Sequence, residues 1–178
     1  MKIGLIRHFK VKQPFPKKLF LTKSEVINWF EEYEVAELEY QKIDLQSIEW
    51  KICYSSSLNR AVKTANYIYD GKIILVKDLE ELNILHLLPN KLKLPFLIWA
   101  VLVRVKSLSN NSDVRLFREK IIEFLSQVLK ENKNVLIISH WFVMKILEDE
   151  LNKQKINGEK IKSPKYGKIY IFENSNDR

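Results

Sequence analysis

Short apolar runs alternate with helical stripes along most of the chain. Met1 to Ile6 is rich in β-branched residues and apolar on both faces, the pattern of a strand covered on both sides. Similar runs at Trp50–Tyr54, Lys72–Val76, Asn134–Ser139 and Lys168–Phe172 predict four more strands. Between them, apolar residues recur at helical spacing. Thr22 with Glu25 makes a capping-box signature ahead of Val26, Trp29, Phe30 and Tyr33. Leu58, Ala61, Val62, Ala65, Ile68 and Tyr69 form a second stripe, with Gly71 placed to stop it. Phe117, Ile121, Phe124, Leu125 and Val128 form a third, and Phe142, Val143, Ile146 and Leu147 begin a fourth directly after a strand. This alternation predicts an α/β fold: a mostly parallel central sheet with helices on both faces, a three-layer α/β/α sandwich.

No Gly/Ser-rich linker or internal repeat divides the chain, so residues 1–178 read as a single domain. Two stretches fall outside the alternation: the lysine-rich Lys10–Lys18, and the segment from Leu85 to Asn111. The acidic stretch from Glu31 to Glu49 reads as the solvated face of a helix and its loop, because it lacks the Asp/Asn/Gly pattern of a calcium loop. The longest apolar run, Leu94 to Val103, is half the roughly 20 residues that a membrane-spanning helix needs.

Composition narrows the class. With 46% hydrophobic residues, 4 Gly and 5 Pro in 178 residues, the chain is neither disordered nor low-complexity. A lone cysteine, Cys53, excludes an internal disulfide and suits a reducing compartment. Arg7 and His8 interrupt the opening apolar run before a signal-peptide core forms, so a cytoplasmic location is expected. The formal net charge of +8 favours an anionic partner.

In an open α/β sheet, ligands bind beyond the carboxyl ends of the strands. His8 follows the first strand, His140 ends the fourth, and Tyr54-Ser55-Ser56-Ser57 ends another, with Arg60 one turn into the next helix. Arg7, His8, Arg60 and His140 therefore converge on one edge. Guanidinium groups match phosphate oxygens and stay charged at any working pH, so this constellation predicts an anion site. His86 lies away from such a strand end and reads as an ordinary surface or core residue. Three histidines and one cysteine without ligand spacing give no metal signature, and no phosphate-binding glycine loop of the nucleotide type is present. No cofactor is expected.

Three ordered blocks resemble the histidine phosphatase superfamily, the phosphoglycerate mutase-like group. Leu5-Ile6-Arg7-His8 is similar to its Arg-His motif after the first strand. The eleven residues Ser55-Ser56-Ser57-Leu58-Asn59-Arg60-Ala61-Val62-Lys63-Thr64-Ala65 follow the pattern Ser-Ser-x-Leu-x-Arg-Ala-x-x-Thr-Ala at every defined position. Val135-Leu136-Ile137-Ile138-Ser139-His140 is similar to the strand ending in the second histidine, and Leu79-Glu80-Glu81-Leu82 resembles the block that supplies an acid.

The resemblance implies a phosphoglycerate mutase-like fold and a metal-independent phosphatase of the histidine acid phosphatase type, hydrolysing phosphomonoesters. His8 would be the nucleophile that forms a phosphohistidine. Arg7, Arg60 and His140 would bind and stabilise the transferring group, and Glu81 would protonate the leaving alcohol. Adjacent Glu80 is the competing acid; in a strand the two would point to opposite faces. The partner implied is a phosphorylated small molecule or a phosphoprotein; the basic stretches Lys10–Lys18 and Lys153–Lys168 offer a nucleic-acid surface, but no recognition motif accompanies them and no nucleic acid is expected. Two other readings stand beside it: a mutase-type phosphotransferase, and a catalytically weak phospholigand-binding or regulatory module. Phe9 and Trp141 favour the last, because family members usually carry Gly after each histidine.

Related enzymes place the region after the acid near the active-site mouth, which makes 85–111 a candidate cap. In that reading Trp99, Phe9 and Trp141 line the route to His8, and Lys91, Lys93, Arg104 and Lys106 allow weak contact with a membrane surface. The competing reading is a core-packed helix after Pro95.

Overall fold

The computed structural model describes residues 1–109 and 111–174. Asn110, inside the candidate cap segment, and residues 175–178 lie outside the described residues. Among the described residues, six strands form the central sheet: β1 (Lys2–Arg7), β2 (Ile52–Ser56), β3 (Ile73–Val76), β4 (Val135–Ser139), β5 (Ile156–Gly158) and β6 (Ile169–Asn174). Their spatial order is β3-β2-β4-β1-β6-β5. The first four in that order are mutually parallel. β6 runs antiparallel to β1, and β5 antiparallel to β6.

Among the described residues, five helices accompany the sheet: α1 (Lys23–Val35), α2 (Asn59–Ile68), α3 (Phe96–Ser107), α4 (Ser112–Glu131) and α5 (Trp141–Lys153). Successive strand side chains alternate between faces, and both faces are apolar. Ile3, Leu5, Ile52, Tyr54, Val135 and Ile137 pack against Ile121, Leu125, Val143 and Leu147 of α4 and α5. Ile6, Cys53, Leu136 and Ile138 pack on the other side against Ala61 and Ala65 of α2. Each fully buried aliphatic side chain contributes about 1.5–3 kcal/mol. The three layers follow from that two-sided burial.

The Thr22–Glu25 capping box is present at the start of α1. Elsewhere local signals are overridden. Gly71 does not cap α2: the helix ends at Ile68 because Tyr69 turns extended (φ −141°), its hydroxyl donating to the Trp50 carbonyl at 2.9 Å. β5 was not expected, because its three residues carry no apolar run; β6 pairing alone defines it. The block around Glu80 is not a strand. Lys77–Leu79 forms a single 3-10 turn, so the two glutamates are sorted by their partners rather than by strand alternation.

Outside the sheet, Lys10–Val11 pairs with Leu38–Glu39, and Leu21–Thr22 with Lys93–Leu94. The second ladder anchors a separate core of Leu21, Val26, Leu85, Leu88 and Trp99 between α1 and α3. Trp99 is fully buried there and donates its indole N–H to the Leu21 carbonyl at 2.9 Å. Phe9 is equally buried, against Val11 and Leu38. Neither side chain lines a route to His8; both are core.

Candidate active site

Parallel pairing of β1 with β4 puts Arg7 opposite Ser139, and the His8 amide continues the ladder by donating to the Ser139 carbonyl at 3.1 Å. The two strands therefore deliver His8 and His140 side by side, with ring centroids 5.1 Å apart. β2, on the far side of β4, brings Ser56, whose Oγ lies 2.8 Å from Nε2 of His140. Both α2 and α5 begin at this edge, α5 with His140 itself as N-cap. Their positive dipole ends add to the cationic character of the site.

His8 is 1% exposed and His140 fully buried. Nδ1 of His8 lies 2.7 Å from the Phe9 carbonyl. A carbonyl only accepts, so Nδ1 carries the proton and Nε2 presents its lone pair. That lone pair faces Arg60, whose Nε–H donates to it at 3.3 Å. Burial, followed by the charges of Arg60 and Arg7, holds the His8 pKa well below its usual 6.5. Burial and the neighbouring Arg60, His8 and Arg7 do the same for His140. Both imidazoles are neutral in the free site.

Arg60 is 5% exposed and is the hub of the cluster. Besides His8 it pairs with Glu34 through Nη1, and its Nη2 lies 3.5 Å from Oε2 of Glu81. The same Glu81 oxygen is 4.0 Å from Nδ1 of His140. Glu80 instead accepts from the Ser57 hydroxyl at 2.5 Å. The segment thus turns Glu81 toward the histidines and Glu80 away.

Arg7 is held from the far end of the chain. Its Nη1 donates to the Pro164 carbonyl at 3.1 Å and its Nη2 to the Tyr166 hydroxyl at 2.7 Å, with Cζ 3.6 Å from the Tyr166 ring centroid. Gly167 makes this possible: its φ of +61° suits glycine, and its N–H donates to the Arg7 carbonyl. The Tyr33 phenol, bonded to Tyr166, is pushed up by burial and stays neutral.

Among the described residues, four buried side-chain atoms lack a hydrogen-bond partner: Arg7 Nε, Ser139 Oγ, His140 Nδ1 and Trp141 Nε1. All four belong to the paired ends of β1 and β4 and the two residues that follow β4. Buried polar atoms are seldom left unsatisfied, so this end of the sheet departs from the usual pattern.

Arg7, His8, Arg60, Glu81 and His140 all lie in this one site. His86 lies elsewhere, exposed and 3.2 Å from Asp113. Lys10 and Lys12 pair with Glu39 and Glu37 rather than with the site. Sequence reasoning missed Glu34, which it left in a solvated acidic stretch, and Tyr166, which had no motif. Gly167, one of 4 glycines in the chain, was the available signal for the latter. Among the described residues, no group of three or more His, Cys, Asp or Glu is arranged to hold a metal ion.

No curated protein matches the chain. Among solved structures, a phosphoserine phosphatase from Entamoeba histolytica in complex with 3-phosphoglyceric acid is 19% identical, with 85% of this chain and 80% of that chain covered and a TM-score of 0.49. A phosphoglycerate mutase from Plasmodium falciparum is 16% identical, with 85% and 73% covered and a TM-score of 0.37. The family model described as histidine phosphatase superfamily (branch 1) matches residues 35–178. That span contains Arg60, Glu81 and His140, while Arg7 and His8 precede it and are brought beside them by β1–β4 pairing. By this match the chain belongs to the histidine phosphatase superfamily, branch 1.

Proposed function

We propose that the chain is a metal-independent phosphomonoesterase working through a phosphohistidine on His8. The observation that carries this reading is the state of His8: a neutral imidazole, its Nδ1–H pinned on the Phe9 carbonyl, its Nε2 lone pair directed into a cationic cluster. Nε2 attacks phosphorus, the N–P bond forms, and the bond from phosphorus to the leaving oxygen breaks. Glu81, acting as the general acid, gives a proton to that oxygen. Water then attacks phosphorus, giving its proton back to Glu81. The N–P bond breaks, and inorganic phosphate leaves with His8 again neutral.

Arg60, Arg7 and His140 carry the charge that develops on the phosphoryl oxygens. Nε2 of His140 lies 2.8 Å from the Ser56 hydroxyl; in the tautomer in which that hydroxyl donates, the proton sits on the otherwise unpartnered Nδ1, a donor available to those oxygens. Fixed donors in a water-poor site need no reorganisation as the charge moves, which is the reason burial helps.

The test is a broad panel of phosphomonoesters without added metal, run beside His8→Ala. Phosphate release by the wild type, and acid-labile, base-stable labelling that disappears in the variant, is the expected result. Undiminished turnover in His8→Ala overturns the assignment. Tight phosphoester binding without turnover in the wild type supports the phospholigand-binding alternative, for which Phe9 and Trp141 in place of glycines are the argument.

A further inference from the structure

We infer that α3 and the segment laddered to it form a docking face for an anionic lipid surface. From Phe96 to Val103 α3 is apolar around its whole circumference, and only one side of it is covered. Trp99 faces the protein core, while Leu97, Val101 and Val105 are 67%, 56% and 61% exposed along one stripe, which Leu108 continues. Phe15 and Leu19 are also exposed, and Phe15 meets Phe96 of α3 at 5.6 Å between ring centroids. A contiguous apolar face of this kind marks an interaction site.

Charge chooses the occupant. Residues 9–24 and 82–112 together carry nine lysines and arginines and no Asp or Glu. The Leu21–Thr22 ladder with Lys93–Leu94 joins these two acid-free segments into one surface. Lys17, Lys91, Lys93, Arg104 and Lys106 have no ion-pair partner among the carboxylates of the described residues. A second copy docking here would set cations against cations. An anionic lipid surface accepts both features at once, the apolar stripe at the acyl boundary and the basic rim at the headgroups. Penetration is shallow, because no helix among the described residues is long and apolar enough to cross a membrane. The face is tied to the site described above: Arg104 Cζ lies 4.2 Å from the ring centroid of Trp141, the residue after His140.

The full chain is sedimented with vesicles of phosphatidylcholine alone and with vesicles containing about one-third phosphatidylglycerol. The expected result is binding to the anionic vesicles at least about tenfold tighter than to the neutral ones, weakening as salt is raised. Val101→Glu with Val105→Glu, both solvent-exposed and so compatible with folding, should abolish it; Lys91→Glu with Lys93→Glu should weaken it and flatten the salt dependence. An unchanged melting temperature confirms that each variant is folded. Absence of binding, equal binding to both vesicle types, or unchanged binding by the valine variant overturns the inference. Concentration-dependent dimerisation that the valine variant abolishes also overturns it, by giving the face to a second copy. None of these readouts depends on catalysis, so they stand or fall apart from the phosphatase reading.

Discussion

Nε of Arg60 lies 3.3 Å from Nε2 of His8, so the guanidinium both occupies the imidazole's lone pair and depresses its basicity. One contact therefore ties binding to protonation state. Arg60→Ala should lower kcat by about two orders of magnitude, the typical cost of removing a preorganised partner of transition-state charge. It should also raise the His8 pKa toward 6.5, moving the acidic limb of the kcat/KM profile to higher pH. A profile that keeps its acidic limb in place would separate Arg60 from the titration of His8.

Glu34 sits on the Arg60 guanidinium that a phosphoryl dianion would use. Two anions compete for one cation, so Glu34→Gln should tighten competitive inhibition by inorganic phosphate. The pair is partly solvated and worth roughly 1 kcal/mol, which corresponds to about fivefold. Weaker inhibition in the variant would mean that Glu34 orients Arg60 for the ligand instead.

Glu81 faces the histidines while Glu80 is held by Ser57. Glu81→Gln should slow alkyl phosphates far more than activated aryl phosphates, whose leaving groups need little protonation. Equal losses for both substrate types would remove Glu81 from the acid role, and a larger loss for Glu80→Gln would reverse the assignment.

Both buried histidines titrate well below 6.5 in the fold and near 6.5 in the unfolded chain. Above pH 6.5 neither state is protonated at these positions and they add no pH dependence. As pH falls below 6.5 the unfolded chain takes up protons that the folded chain refuses, so stability is lost with acidification. The slope approaches about 1.4 kcal/mol per pH unit for each histidine. Urea unfolding between pH 7 and pH 5 measures it, and His140→Gln should reduce the slope by about half.

Trp99 is fully buried and its indole N–H is satisfied by Leu21. Trp99→Ala should cost about 3–5 kcal/mol and lower the melting temperature by about 10 °C. Its substrate selectivity should match that of the wild type, because the side chain does not reach the site. A shift in preference between large and small phosphate esters without loss of stability would restore the cap reading of Trp99.

Periodicity alone determined the alternation of strands and helices, because apolar residues must follow the 2- and 3.6-residue repeats of the elements they bury. Parallel strands bring their carboxyl ends to one edge, so Arg7, His8, Arg60 and His140 were legible as one cluster before any coordinates. Three things belonged to the tertiary structure. Glu34 reaches Arg60 only because α1 packs near α2, and nothing local distinguishes it from the solvated glutamates around it. Tyr166 holds Arg7 across 159 residues, a contact that no local pattern encodes. The two faces of α3 were equally undetermined: from Phe96 to Val103 its sequence is apolar all round, so periodicity could not say which side is core. The ladder between Leu21–Thr22 and Lys93–Leu94 decided that, burying Trp99 and leaving Leu97, Val101 and Val105 in water.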